Sequence, residues 1–341
     1  MAEDPMHRSA HRRIFLGVMF CVVSAFASSG VTRPPAWLVD FDAAAAADGE
    51  AGQKQDPLMV AYMTDGGELV PIARFDGTAW QNTWPAPIDR DAPLPVRTVS
   101  DIPRAWLGQP VPLTWTVWSQ ATRQQQRVTV TGVDREGSCV EAITLATSFH
   151  PNPQSDGLAF NRPTRVDAIV ALEQRSRDLL RRDVASHFRT ALAGIIHSRS
   201  GSEQSRIGAK VLLALTRADT LTDDTVIIEA VLSDSRFPVM FIEAQREFGG
   251  IPADTDDDAL SYSGWFRRDR SGALVPISAS VTSFSTAAGK SPSYTPIGIV
   301  RLGLGSIWAM SEIDGELQDI VLFGVSDQGV GKLTSAHIDG C

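Results

Sequence analysis

The chain has 341 residues, of which 43% are apolar, 7% aromatic and 21% charged. With its 27 Gly added, the apolar share is that of an ordinary globular protein, which excludes wholesale disorder, collagen, a coiled coil and a small disulfide scaffold. Lys and Arg number 31 against 40 Asp and Glu, a formal net charge of -9, so no electrostatic pull toward nucleic acid is expected.

Residues 1–27 read as a signal peptide. Arg12 and Arg13 precede the apolar run IFLGVMFCVVSAFA, which ends at Ala27. A membrane-spanning helix needs about 20 residues, whereas about 10–14 suit a signal-peptide core. Ala25 and Ala27 are the small residues a cleavage site needs, which places the cut after Ala27. An uncleaved anchor is the alternative. The chain is thus expected to be exported, periplasmic or extracellular, with no membrane span after signal cleavage. Cys21 leaves with the signal, and Cys139 and Cys341 remain. In an oxidising compartment that even number suggests a Cys139–Cys341 disulfide. One buried and one exposed thiol is the alternative.

Residues 28–57 are rich in Ala, Asp and Gly and read as a flexible linker. Residues 58–150 read as a β-rich lobe. LMVAYMT and LVPIARF are apolar runs parted by Asp65-Gly66-Gly67, a hairpin signal. LTWTVW alternates with period two and sets Leu113, Trp115 and Val117 on one face. Residues 163–200 read as a helix. Thr164 to Asp167 has the form of a helix start, and Leu180, Val184, Phe188 and Leu192 recur at helical spacing.

Residues 205–325 read as a second β-rich lobe, and 326–341 as a C-terminal tail. TVIIEAVL and VMFIEAQREF form an expected hairpin, followed by strands in SGWFRRD, ALVPISASV, IGIVRL, SIWAMSEI and LQDIVLFGV. GELVPIA at 67–73 matches GALVPIS at 272–278. Internal duplication explains the match, and so do two strands of like in/out pattern. The expected fold is α+β, with two antiparallel strand-rich lobes flanking one long amphipathic helix.

Sequence motifs for chemistry fail on inspection. Gly289-Lys290-Ser291 ends like a phosphate-binding loop, but Phe284 stands where its first Gly belongs. Asp254, Asp256 and Asp258 have calcium-loop spacing, but Ala259 and Trp265 replace the required Gly and Glu. No metal and no cofactor is expected. Glu229 and Glu243 each interrupt an apolar strand. A loop centred on Arg236 sets them directly opposite, with Cβ atoms about 5 Å apart, near the carboxyl separation of retaining glycosidases. Two exposed Glu on the wet face of a strand pair is the plainer reading.

In TAWQNTWPAP, an extended backbone turns Trp80, Asn82 and Trp84 to one side, a strip suited to a sugar or a Pro-rich peptide. The alternative is two Trp covering the end of a sheet. The functional expectation is an exported binding or structural interaction protein, without assigned catalytic residues, whose partner is a glycan, peptide or protein. The alternative is an exported glycan-acting hydrolase using Glu229 and Glu243.

Overall fold

The first described strands close on themselves. The computed structural model describes residues 58–75, 79–81, 113–119, 121–136, 142–149, 157–197, 227–233, 239–247, 259–284, 293–302, 305–314, 317–326 and 329–339. The opening strands are β1 (Leu58–Met63), β2 (Leu69–Phe75), β3 (Trp80–Gln81), β4 (Thr114–Ser119), β5 (Gln124–Glu136), β6 (Ala142–Thr147) and β7 (Gly157–Phe160). They run antiparallel in the order β1-β7-β4-β5-β6-β2, and β1 pairs β2 to shut a barrel. β3 pairs the end of β2. Period-two alternation fills the interior with Met59, Ala61 and Met63 of β1, Trp115 and Val117 of β4, and Val128, Val130 and Val133 of β5.

The remaining elements are β8 (Val166–Asp167), β9 (Ile169–Ala171), α1 (Gln174–His197), β10 (Ile227–Ser233), β11 (Val239–Glu247), β12 (Ala259–Arg268), β13 (Leu274–Phe284), β14 (Ser293–Leu302), β15 (Gly305–Asp314), β16 (Leu317–Val325) and β17 (Val330–Asp339). A second sheet has the order β17-β16-β15-β14-β8, and a third the order β13-β12-β11-β10-β9. The second sheet is buried on both faces. Ile297, Val300, Ile307, Ile320 and Leu322 pack with Leu58, Val60 and Phe160 of the barrel wall. Ile299, Trp308, Met310 and Val325 pack with Phe241 and Trp265 of the third sheet. On the other face of that sheet, α1 lays Leu180, Val184, Phe188 and Leu192 against Met240, Ile242, Tyr262 and Phe266.

This arrangement corrects the expected α+β architecture. The described chain is predominantly β, built from a closed barrel and two sheets, and the helix covers an outer face instead of parting two lobes. α1 also begins at Gln174, beyond the Thr164–Asp167 signal. Residues 166–171 are extended, and β8 pairs β14 while β9 pairs β10. Ladder bonds and the burial of Val166 and Ile169 outweigh the helix start, and Thr164 Oγ donates to Arg162 O. One short segment thereby stitches the second sheet to the third.

The match between GELVPIA and GALVPIS is local. Gly67 and Gly272 have φ of 85° and 86°. Each donates its N–H three residues back at 3.0 Å, to Thr64 O and Asp269 O. The register then skips one isoleucine in each hairpin, between Ala73 and Pro71 and between Ser278 and Pro276. Proline has no N–H for the ladder, and a bulge is where that loss is tolerated. Pro296-Ile297-Gly298 of β14 repeats the device. One matched hairpin belongs to the closed barrel and the other to an open sheet, so the likeness is one of hairpin type and not of lobes. Among the described residues, no helix is long and apolar enough to cross a membrane.

Candidate functional site

The residues singled out in the sequence fall in separate places. Trp80 opens β3 and is half-buried, with its ring centroid 5.2 Å from that of Phe75. It packs against the cluster between the barrel and the second sheet. Asn82, Trp84, Cys139, Cys341 and the acidic stretch 254–258 lie outside the described residues. Glu229 stands opposite Glu243 in the β10–β11 ladder, the register that a loop centred on Arg236 gives. Glu243 is half-buried, and its Oε1 accepts from Gln245 Nε2 at 2.7 Å.

Sequence reasoning missed one polar row. Tyr294, Glu312, Asp319 and His337 are successive Cα partners across β14, β15, β16 and β17. Tyr294 Oη donates to Glu312 Oε1 at 2.6 Å, and His337 Nδ1 lies 2.6 Å from Asp319 Oδ1. Each carboxylate thus has a partner on its own flank, and the row cross-links adjacent strands as two polar pairs. No local motif announces it, because every member comes from a different strand.

The most open chemistry lies at a sheet edge. β17 and β13 are the long outermost strands of the second and third sheets. β17 breaks register at Gln318/Asp319 and at Leu322/Phe323, and it carries Lys332 and His337. Bulges and charges of this kind keep an edge from pairing with another chain. β13 is different. Its 11 residues, LVPISASVTSF, include no charged side chain. Past the skipped Ile277, its pairing with β12 runs unbroken from Ser278 to Phe284. Ser278, Ser280 and Thr282 are exposed, while Val281 is buried against the α1 cluster and Ala279 packs beside it. Among the described residues, no strand pairs the outer side of β13.

The start of this edge is fixed in place. Asp269 Oδ1 accepts from Ser271 N at 2.8 Å, from Ser271 Oγ at 2.6 Å and from Ala273 N at 3.0 Å. The Ser271 hydroxyl, aided by the backbone N–H groups, holds the Asp269 carboxyl below its ordinary range. At the first residue of β13, Leu274 O lies 2.8 Å from His187 Nε2 of α1. A pre-shaped strand loses little conformational freedom when another strand joins it. Its row of backbone N–H and C=O groups is a template for strand addition. Compared with protein-family models, with curated proteins and with solved structures, the chain matches none.

Proposed function

We propose that this chain is an exported, non-catalytic interaction protein that takes a partner's extended strand along the outer side of β13. The observation that carries the reading is the uncharged edge from Ser278 to Thr282, whose pairing with β12 is unbroken. α1 packs on one face of the third sheet and the second sheet packs on Phe241 and Trp265 of the other, while its pairing capacity lies at the edge. Main-chain hydrogen bonds supply affinity in such a mode, and the alternating side chains supply specificity. The partner class is therefore a peptide or protein. Export rests on the run that ends at Ala27.

A peptide and glycan array tests the binding mode, probed with the mature protein and with Ser280→Lys. Uncharged extended peptides should bind the first and not the second. Peptide binding that survives Ser280→Lys rejects the edge, as does a dark array from a protein that is also monomeric. N-terminal sequencing tests export: a mature chain starting at Ser28 supports it, and one starting at Met1 or Met6 rejects it. A second reading, glycan hydrolysis, is favoured by the opposed register of Glu229 and Glu243. It requires turnover of an arrayed glycan that Glu243→Gln abolishes.

A further inference from the structure

The edge of β13 is self-complementary, and we infer that the strand it takes is β13 of a second copy, paired antiparallel about Ser280. This rests on the strand-addition reading. From Ser278 to Thr282 the residues are Ser, Ala, Ser, Val, Thr, so hydroxyl and apolar side chains alternate in the same order from either end. An antiparallel pair centred on Ser280 sets Ser278 against Thr282, Ala279 against Val281, and Ser280 against its own copy. Hydroxyl then meets hydroxyl on one face and apolar meets apolar on the other, the cross-strand pairs that stabilise a sheet. Neighbouring centres lose this match. Centring on Val281 sets Ala279 against Ser283 and Ser278 against Phe284. Centring on Ala279 sets Val281 against Ile277, where the register is broken.

Charge points the same way. Two copies of a chain with net charge -9 repel, and β13 is an edge along which they meet without opposing carboxylates. A two-fold contact of one patch with itself also closes after two copies. An uncharged edge that would otherwise invite open-ended aggregation is thereby used up. The two-fold axis runs perpendicular to the joined sheet, so both α1 helices lie on one side of it.

Sedimentation of the mature protein over a wide concentration range gives the first test. Wild type should be a dimer, and Ser280→Lys, which sets like charges directly opposite, should be a monomer with an unchanged circular dichroism spectrum. Cysteines fix the register, because directly opposed Cα atoms lie about 4.5–5.5 Å apart, within disulfide reach. Under oxidation Ser280→Cys should link to itself. Ser278→Cys should not, yet should link to Thr282→Cys when the two are mixed, with peptide mapping to set these bonds apart from any at Cys139 or Cys341. A monomeric wild type, a dimer indifferent to Ser280→Lys, or cross-links in another register overturns the self-pairing. If peptide binding on the array still depends on Ser280, only the choice of partner has failed. If the β13 amides of a monomeric wild type resist hydrogen exchange as strongly as those of β12, the chain covers its own edge, and strand addition fails as well.

Discussion

Arg301 donates through Nε to Oδ2 of Asp167, across the join where β8 meets the edge of β14. The Asp167 side chain is 7% exposed and that of Arg301 32%. Arg165 Nε stands 3.6 Å from the other carboxylate oxygen, but its side chain is 75% exposed. Removing Arg301 therefore leaves a buried carboxylate with one weakly held partner. Arg301→Ala should cost about 3 kcal/mol, the low end for a broken buried pair because the guanidinium is partly in water. Arg165→Ala should cost less than about 1 kcal/mol. Replacing Asp167 and Arg301 together by Leu and Met should recover most of the loss. Urea midpoints of the variants check the order, and equal losses for the two arginine variants would refute it.

Glycines separate two sources of strain. A Cβ at Gly157 would collide with Trp118 O, on the neighbouring strand, whereas one at Gly272 meets nothing within 4 Å. Gly272 pays only for its φ of 86°, so Gly272→Ala should cost about 1–2 kcal/mol. Gly272→Asn should cost less, since Asn visits that region more readily. Gly157→Ala must displace backbone between β7 and β4 and should exceed both, by about 1–3 kcal/mol or more. Thermal melts of the three variants give the ranking.

Much of the strand pattern was legible in the sequence because its causes are local. Trp115 and Val117 alternate with Thr114 and Thr116, and both lie fully buried in the barrel. Asp65-Gly66-Gly67 marks a turn that Gly67 completes with positive φ. The distance of Glu229 and Glu243 from Arg236 gives their pairing. Closure of the barrel was not legible, since it depends on β2 meeting β6 at Leu69 and Leu145, far apart in sequence. The start of α1 was misread because Thr164 to Asp167 has a helix-start pattern, while two distant strands, β14 and β10, offered that segment ladders. The edge of β13 had its composition in plain view. Its outermost place in the sheet is a property of topology alone.

Phe188 anchors α1. It is fully buried, and its ring stacks on Tyr262 with centroids 5.2 Å apart and planes at 15°. Phe188→Ala should cost about 3–5 kcal/mol, from lost burial and the cavity left behind. Leu179, one residue from buried Leu180 but 74% exposed, should tolerate Ala within about 0.5 kcal/mol. Comparable losses at the two positions, read from denaturant midpoints, would contradict the placement of the helix face.

Stability should fall at both ends of the pH scale for reasons that two side chains make separable. Burial raises the Tyr262 hydroxyl from 10.0 to about 12, because the phenolate is poorly solvated between α1 and the third sheet. Between those values the folded chain keeps a proton that the unfolded chain releases. The contribution is complete below about pH 10 and is lost as pH rises toward 12. Asp269 has the opposite sign. The Ser271 hydroxyl, and then the turn's backbone N–H groups, favour its ionised form, so its carboxyl lies below the ordinary 3.8. Its contribution is present above that value and is lost as pH falls below it. Asp269 is exposed, so the acid effect should be the smaller of the two. Urea midpoints measured across pH should show the alkaline fall flatten in Tyr262→Phe and the acid fall flatten in Asp269→Asn. An alkaline fall unchanged by Tyr262→Phe would place its origin at another group.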